Sequence, residues 1–285
     1  MKKFLTTLSI IAALTGVSQI AEAALIWGNS AGSNEIAAFD PTTGALVHQY
    51  FPGKGNGRGV VVVGNVVYFT VTGDGNIYKL DATTGAPLGS FSTGQSSLST
   101  ISFDGTDFWL SDYSGTPKAY KVSTGGVLLS TITLANATGF TDGLEYFNGK
   151  LIANRSDGCC TSPTYYDVYD LSGNLLQSAF ITVGNQSTGI AYDGTNFFTS
   201  DVFGNSIKVW NGTTGAFIKT VALDTSKGTH LIEDLSVDFA GRVDTCGQPG
   251  QPPCTVPPTS VPEPGVLPLI GIALLGLAGM RRRFN

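Results

Sequence analysis

Few residues in this chain have the chemistry for catalysis or tight ligation. Its 285 residues include two histidines, His48 and His230, and four cysteines, Cys159, Cys160, Cys246 and Cys254. A nucleophilic enzyme needs a nucleophile, a base and a group that orients the base. His48 falls in a segment that reads as an edge strand and is expected at the surface. His230 stands near Glu233 and Asp234 in sequence. No His-Glu-x-x-His pair occurs, and Gly53-Lys54-Gly55-Asn56-Gly57-Arg58 lacks the Lys-Ser/Thr ending of a phosphate loop. Cys246 and Cys254 flank a Gly/Pro-rich stretch and read as a disulfide if the chain is exported. Cys159 and Cys160 are adjacent: free thiols, a vicinal disulfide and pairing with the other two all stay open. Zinc on all four is chemically possible, but adjacent cysteines make poor tetrahedral ligands.

Composition narrows the scaffold. Only 13% of residues are charged, 42% are hydrophobic, and 37 are glycine, against about 25% charged and about 7% Gly in an average chain. The apolar content argues against disorder. Low charge with abundant Gly argues against a helical bundle and for a sheet protein with many turns. The formal net charge of −5 disfavours nucleic acid, whose phosphates need clustered Lys and Arg.

The elements that would position any site come from a repeat. A hairpin pattern, apolar-x-apolar, then Asp/Asn/Ser, a Thr/Ser-Gly turn and a second apolar run, recurs at 36–50, 77–91, 119–132, 166–180 and 207–221. Its turn glycines are Gly44, Gly85, Gly126, Gly173 and Gly215. A second unit of two short strands precedes each later hairpin, at 59–69, 100–110, 143–153 and 189–199. Together they make four strands in roughly 40–45 residues, the period of a β-propeller blade. Residues 24–27 align with a second strand and 234–239 with a first strand. The C-terminal strand is therefore expected to complete the first blade of an all-β, five-bladed propeller over 24–243, with six blades as the alternative if 242–254 adds strands. The pattern resembles the Tyr-Val-Thr-Asn-type and NHL-type propellers in architecture.

That phasing sets Arg58, Ser99, Asp142, Thr188 and Glu233 at equivalent first-strand positions, expected around one mouth of the central channel. Second-strand ends add Asn29, Asp112, Arg155 and Asp201. Lactonase-type propellers, the gluconolactonase-like family, hold a metal in such a place with Glu, Asn and Asp, and Glu233, Asn154, Asp142 and Asp201 are loose analogues. Arg58 and Arg155 oppose a cation there, so a solvated polar channel is the plainer expectation, and no metal or other cofactor is assigned. Calcium is the cation to consider if one binds. Arg58, Asp112, Asp142, Asn154, Asp201 and Glu233 are the candidate binding residues. Trp27, Trp109, Phe198 and Trp210 fall within repeat strands and are expected in the core.

The ends read as addresses rather than fold. Residues 1–23 have Lys2 and Lys3, an apolar stretch and Ala21-Glu22-Ala23, the form of a signal peptide removed by signal peptidase. Residues 244–264 form a Cys/Pro-rich linker. Residues 265–280 are apolar, and Arg281, Arg282 and Arg283 follow, a basic cluster that stays cytoplasmic by the positive-inside rule. Pro262, Glu263 and Pro264, the apolar span and the Arg run resemble the PEP-CTERM sorting signal of exported Gram-negative proteins. The resemblance implies transient membrane anchoring, removal of the tail by an exosortase, and release to the cell surface or beyond. Losing both ends leaves 11 basic and 20 acidic residues, a net of −9. The expected role is a surface or matrix-associated binding or scaffold module. A metal-dependent hydrolase and an exopolysaccharide-binding protein are the alternatives, and an exopolysaccharide or a surface protein is the expected partner.

Overall fold

The computed structural model describes residues 24–155 and 162–237, all within one compact unit that ends at residue 242. The signal segment, all four cysteines, the linker and the sorting tail lie outside the described residues.

The described chain is all-β. Blade 1 holds β1 (Ile26–Ser30), β2 (Ile36–Phe39) and β3 (Leu46–Tyr50). Blade 2 is β4 (Gly57–Val63), β5 (Val66–Val71), β6 (Asn76–Asp81) and β7 (Pro87–Ser92). Blade 3 is β8 (Leu98–Phe103), β9 (Phe108–Asp112), β10 (Lys118–Val122) and β11 (Leu128–Thr133). Blade 4 is β12 (Leu144–Phe147), β13 (Lys150–Asn154), β14 (Thr164–Tyr169) and β15 (Leu175–Val183). Blade 5 is β16 (Ile190–Tyr192), β17 (Asn196–Asp201), β18 (Ser206–Asn211) and β19 (Phe217–Ala222). The last strand, β20 (Ile232–Val237), pairs antiparallel with β1, Ile26 opposite Val237 and Asn29 opposite Asp234. Five four-stranded sheets result, one of them in the order β20-β1-β2-β3. The innermost strands touch in the order β20, β4, β8, β12, β16 and back to β20. The ring therefore closes at five blades, and the six-bladed alternative is excluded.

Each outer hairpin is built the same way. Asp40, Asp81, Asp170 and Asn211 accept turn N–H bonds through Oδ1, and the Ser123 hydroxyl does the same for Val127 N. The five turn glycines all have positive φ, 68° to 90°, which glycine adopts without a side-chain penalty. Packing adds a second requirement. A Cβ on Gly44, Gly126, Gly173 or Gly215 would run into an outer-strand carbonyl of the preceding blade, and on Gly85 it would meet the Tyr50 ring. The turn of one blade thus rests on the outer strand of the one before.

A bulge follows each turn. One extra residue, Val47, Leu88, Leu129, Leu176 or Ile218, stands at the register shift of its outer strand. Bulges twist sheet edges away from further strand pairing, and each blade carries one. Between neighbouring blades lie five apolar clusters, one per interface, around residues such as Phe39, Phe69, Phe108, Tyr169 and Phe197. Trp27, Trp109, Phe198 and Trp210 are all buried in these layers.

Candidate functional site

The channel is organised by one polar residue near the end of each second strand: Asn29, Thr70, Ser111, Asn154 and Ser200. Thr70 Oγ1 accepts from Gly59 N of its own blade (2.7 Å) and donates to Ser99 O of the next (2.5 Å). Ser111 Oγ accepts from Thr100 N (3.4 Å) and donates to Thr141 O (2.5 Å). Asn29 donates to Gly59 O and Thr70 O, Asn154 Oδ1 accepts from Asp142 N and Gly143 N, and Ser200 Oγ accepts from Gly189 N. These bonds form a belt: from Asn29, Thr70 and Ser111 it reaches the next blade, and at Asn154 and Ser200 it holds the inner segment of their own blade.

Opposite the belt, the inner strands present Asp234, Gly59 and Thr100, and Gly143 and Gly189 stand at the equivalent positions just before β12 and β16. A Cβ on Gly59 would lie 2.7 Å from Ser99 O, one on Gly189 would lie 2.8 Å from the Asp234 Cα, and one on Gly143 would strike Thr188 O. Inner strands here approach to backbone contact. Asp234, 1% exposed, fills the remaining space: its Oδ2 accepts from Val60 N (3.1 Å), Thr100 Oγ1 (2.7 Å) and Ile101 N (3.4 Å). One carboxyl of blade 1 thus binds blades 2 and 3. Its Oδ1 has no hydrogen-bond partner among the described residues. The next layer repeats the device. Ser236 Oγ accepts from Val62 N, Ser102 Oγ from Tyr146 N, and Glu145 takes the Tyr192 N–H and the Ser102 hydroxyl. Inner-strand N–H groups facing the axis have no ladder partner, and these side chains supply one. Burial pushes both carboxyls well above the usual carboxylate range, and for Glu145 the nearby Asp234 adds to it.

At one mouth, Arg58 Nη1 pairs with Glu233 Oε1 at 3.0 Å and its guanidinium lies 5.3 Å from the Tyr113 ring centroid. Tyr113 meets Phe140 edge-on at 4.8 Å. Burial raises the Tyr113 pKa, the charge of Asp142 raises it further, Arg58 opposes, and Ser99 hydrogen-bonds the phenol. Arg58, Ser99, Asp142 and Glu233 of the expected ring therefore gather on Tyr113, a residue that sequence reasoning missed because its position just past a second strand carries no motif. Thr188 is fully buried, and its carbonyl accepts from the Tyr166 hydroxyl at 3.1 Å.

The second-strand ends are placed elsewhere. Asp112 accepts from Tyr120 Oη (2.6 Å) and Ser114 N (3.0 Å). Asp201 accepts from Gly204 N in its own turn. Arg155 grips Asp167 with two bonds of 2.7 and 2.8 Å and lies over Tyr165. Each stands one residue past the belt position, and one step along a strand reverses the face. Asn29 and Asn154 are belt residues. Among the described residues no three His, Cys, Asp or Glu side chains converge as a metal site.

The histidines are both engaged. His48 is half-buried, stacked on Trp27 and Tyr50 with ring centroids 5.6 and 5.8 Å away, where an exposed position was expected. His230 is fully buried and bonds Glu35 rather than its sequence neighbours Glu233 and Asp234: Nδ1 lies 2.9 Å from Glu35 Oε2, and Nε2 lies 2.9 Å from Asp224 O. Gly28-Asn29-Ser30-Ala31-Gly32 has Gly-x-Ser-x-Gly spacing, a match that sequence reading passed over. Ser30 Oγ donates to the same Glu35 Oε2 at 3.2 Å. A triad needs the histidine between serine and acid. Here the acid lies between them, the serine is buried, and the strand runs into a hairpin turn in place of the exposed strand-to-helix elbow.

Residues 260–283 match the family model described as the PEP-CTERM protein-sorting motif. No curated protein matches the chain. The fold is similar to a solved structure titled "Crystal structure of Nidogen/Laminin Complex", with TM-score 0.52 and 13% identity over 76% of this chain and 99% of that one. A computationally designed protein, Ika4, aligns over 60% of this chain and 99% of its own with TM-score 0.37 and 18% identity. Among the described residues no helix is long and apolar enough to cross a membrane, and the tail lies beyond them. The motif implies export, anchoring at the membrane surface and processing by an exosortase: the chain is a five-bladed β-propeller that carries a PEP-CTERM sorting signal.

Proposed function

We propose that the exported propeller is a non-catalytic binding module of the cell surface or matrix, with its ligand surface at the Tyr113 mouth. The observation that carries this reading is the composition of that mouth: Arg58 and Glu233 paired beside the Tyr113–Phe140 rings, with Asp142 at hand. Side chains of both signs around an aromatic pair suit a neutral, hydroxyl-rich ligand such as a polysaccharide, which uses donors, acceptors and ring faces together. The engagement of both histidines supports a role without acid–base turnover. Arg58 within the cluster speaks against a catalytic calcium.

The test is a glycan array and exopolysaccharide pull-down with the processed protein, beside a lactone and ester hydrolysis panel with and without calcium. Saccharide binding abolished by Arg58→Ala and Tyr113→Ala supports the reading. Calcium-dependent turnover overturns it in favour of a metal-dependent hydrolase.

A further inference from the structure

His230 occupies a position with no counterpart in the other blades. Counting back four residues from the axis position gives His230 at the junction of blades 5 and 1, against Gly55, Ser96, Gly139 and Asn185 at the other four. The imidazole is set between the two blades that β20 joins. Its backbone N–H donates to Asn205 Oδ1 of blade 5 at 2.6 Å, and Phe39 of blade 1 meets the ring edge-on at 5.0 Å.

The hydrogen bonds of the ring assign its protons. Nε2 faces the Asp224 carbonyl, which only accepts, so Nε2 carries a hydrogen. Nδ1 faces Glu35 Oε2, and that carboxylate already takes the Ser30 hydroxyl at 3.2 Å and Gln49 Nε2 at 2.6 Å. Two donors aimed at Glu35 stabilise its ionised form, so Nδ1 carries a hydrogen too. The charged groups acting on the ring are Glu35 and Asp224. Its other neighbours, Phe39 and Asn205, are neutral.

We propose that His230 is a pH-sensitive latch, a buried imidazolium that locks the ring-closing strand β20 to blades 5 and 1. Loss of either ring proton turns one of its two bonds into a lone pair facing an oxygen. The seam loosens there, at the residues that enter β20.

The pH window follows from the two partners. Burial opposes the His230 charge, but Glu35 and the Asp224 carbonyl outweigh it and raise the pKa above 6.5. A raised value in the folded state gives stability that is complete below 6.5 and lost as pH rises through the folded value. Burial likewise opposes the Glu35 charge, yet bonds from His230 and Gln49 lower its pKa below 4.5, so its share is lost as pH falls through the folded value. The latch is fully set between 4.5 and 6.5.

The test uses the full-length chain in a mild detergent. Selective 15N-histidine labelling reads the protonation of both ring nitrogens, and hydrogen exchange, corrected for intrinsic rates, follows residues 228–237 against 98–112 from pH 5 to 9. A latch gives a doubly protonated His230 at pH 6, and β20 protection falling about tenfold more than that of β8 and β9 as the ring deprotonates. Glu35→Gln removes that excess pH dependence. A neutral ring at pH 6, or parallel loss of protection in the two regions, overturns the proposal. Parallel loss is the signature of Asp234, whose bonds reach β4 and β8 as well. If Glu35→Gln does not fold, the wild-type spectra and exchange profiles decide.

Discussion

The outer hairpins and the inner strands of this propeller obey opposite rules. Outside, five copies repeat the same parts: an Asx or Ser cap, a left-handed glycine and a bulge with an aliphatic residue. Inside, the five equivalent axis positions hold Asp234, Gly59, Thr100, Gly143 and Gly189, four glycine or small polar solutions and one acid. Repetition suffices where each blade needs only to rest on the next. At the axis all five strands crowd one line, so each residue is fitted to what the others leave. The outer region therefore specifies the fold, and the inner region specifies the closure.

The sharpest way to break that comparison is to remove the acid. Asp234→Ala leaves Val60 N, Thr100 Oγ1 and Ile101 N without their acceptor. Each buried orphan costs about 1–3 kcal/mol, so a loss of about 4 kcal/mol is expected in urea unfolding. Asp234→Asn keeps an acceptor oxygen in the same place, and burial already favours an uncharged side chain there. It should therefore cost about 1 kcal/mol or less at neutral pH. Equal losses for the two variants would show that the carboxylate charge, and not its acceptor oxygen, binds the three blades.

A substitution at a turn glycine should matter less, and in a graded way between the outer turn of blade 4 and the inner turn of blade 2. Gly173→Ala meets both a positive φ of 86° and the Thr133 carbonyl, whereas Gly64→Ala meets a φ of 59° and open space. The first should cost about 2–4 kcal/mol from strain and clash together, the second about 1 kcal/mol from the left-handed backbone alone. Thermal unfolding of the two variants side by side reads the difference. If they match, turn glycines serve only their own turns and not the blade before.

The hairpins were legible because their signals are local. Asp81, Thr84 and Gly85 fix a turn within five residues, and the 41–47-residue interval exposes its copies. Closure was legible for the same reason, since 24–27 and 234–239 are complementary fragments of one unit. The site was legible only in part. Arg58, Asp142 and Glu233 emerged from strand phase, but the phase slipped by one at Asp112, Arg155 and Asp201, where the belt uses Ser111, Asn154 and Ser200. The polar side chain that faces inward is set by inter-blade contacts 29–30 residues away, as in Thr70 to Ser99 and Ser111 to Thr141. His230 finding Glu35, 195 residues distant, belongs to the same class: ring closure makes the contact, and no local spacing announces it.

The axis also predicts a slope with pH. Asp234 and Glu145 both have raised pKa values in the folded state. Such groups give stability that is complete below their ordinary values, 3.8 and 4.5, and lost as pH rises through the folded ones. Urea midpoints between pH 4 and 9 should fall less for Glu145→Gln than for the wild type. An unchanged slope would mean that Glu145 titrates normally and that the Tyr192 N–H and Ser102 hydroxyl offset its burial.

The smallest effect sharpens the comparison from the other side. The five bulge residues, Val47, Leu88, Leu129, Leu176 and Ile218, are between 46% and 52% exposed, too open to anchor a core. What each blade requires there is the extra backbone residue, because the bulge turns the sheet edge, and the side chain is incidental to it. Leu88→Ser should therefore change stability by no more than about 0.5 kcal/mol, the usual range for a surface position. Deleting Leu88 would remove the bulge while leaving Pro87 opposite Leu80 and Gly89 opposite Lys79, so the edge loses its extra twist, at a cost of several times that. If serine and deletion prove equally harmful, the aliphatic side chains hold the rim together. The outer repeat would then be a packing motif rather than a backbone one.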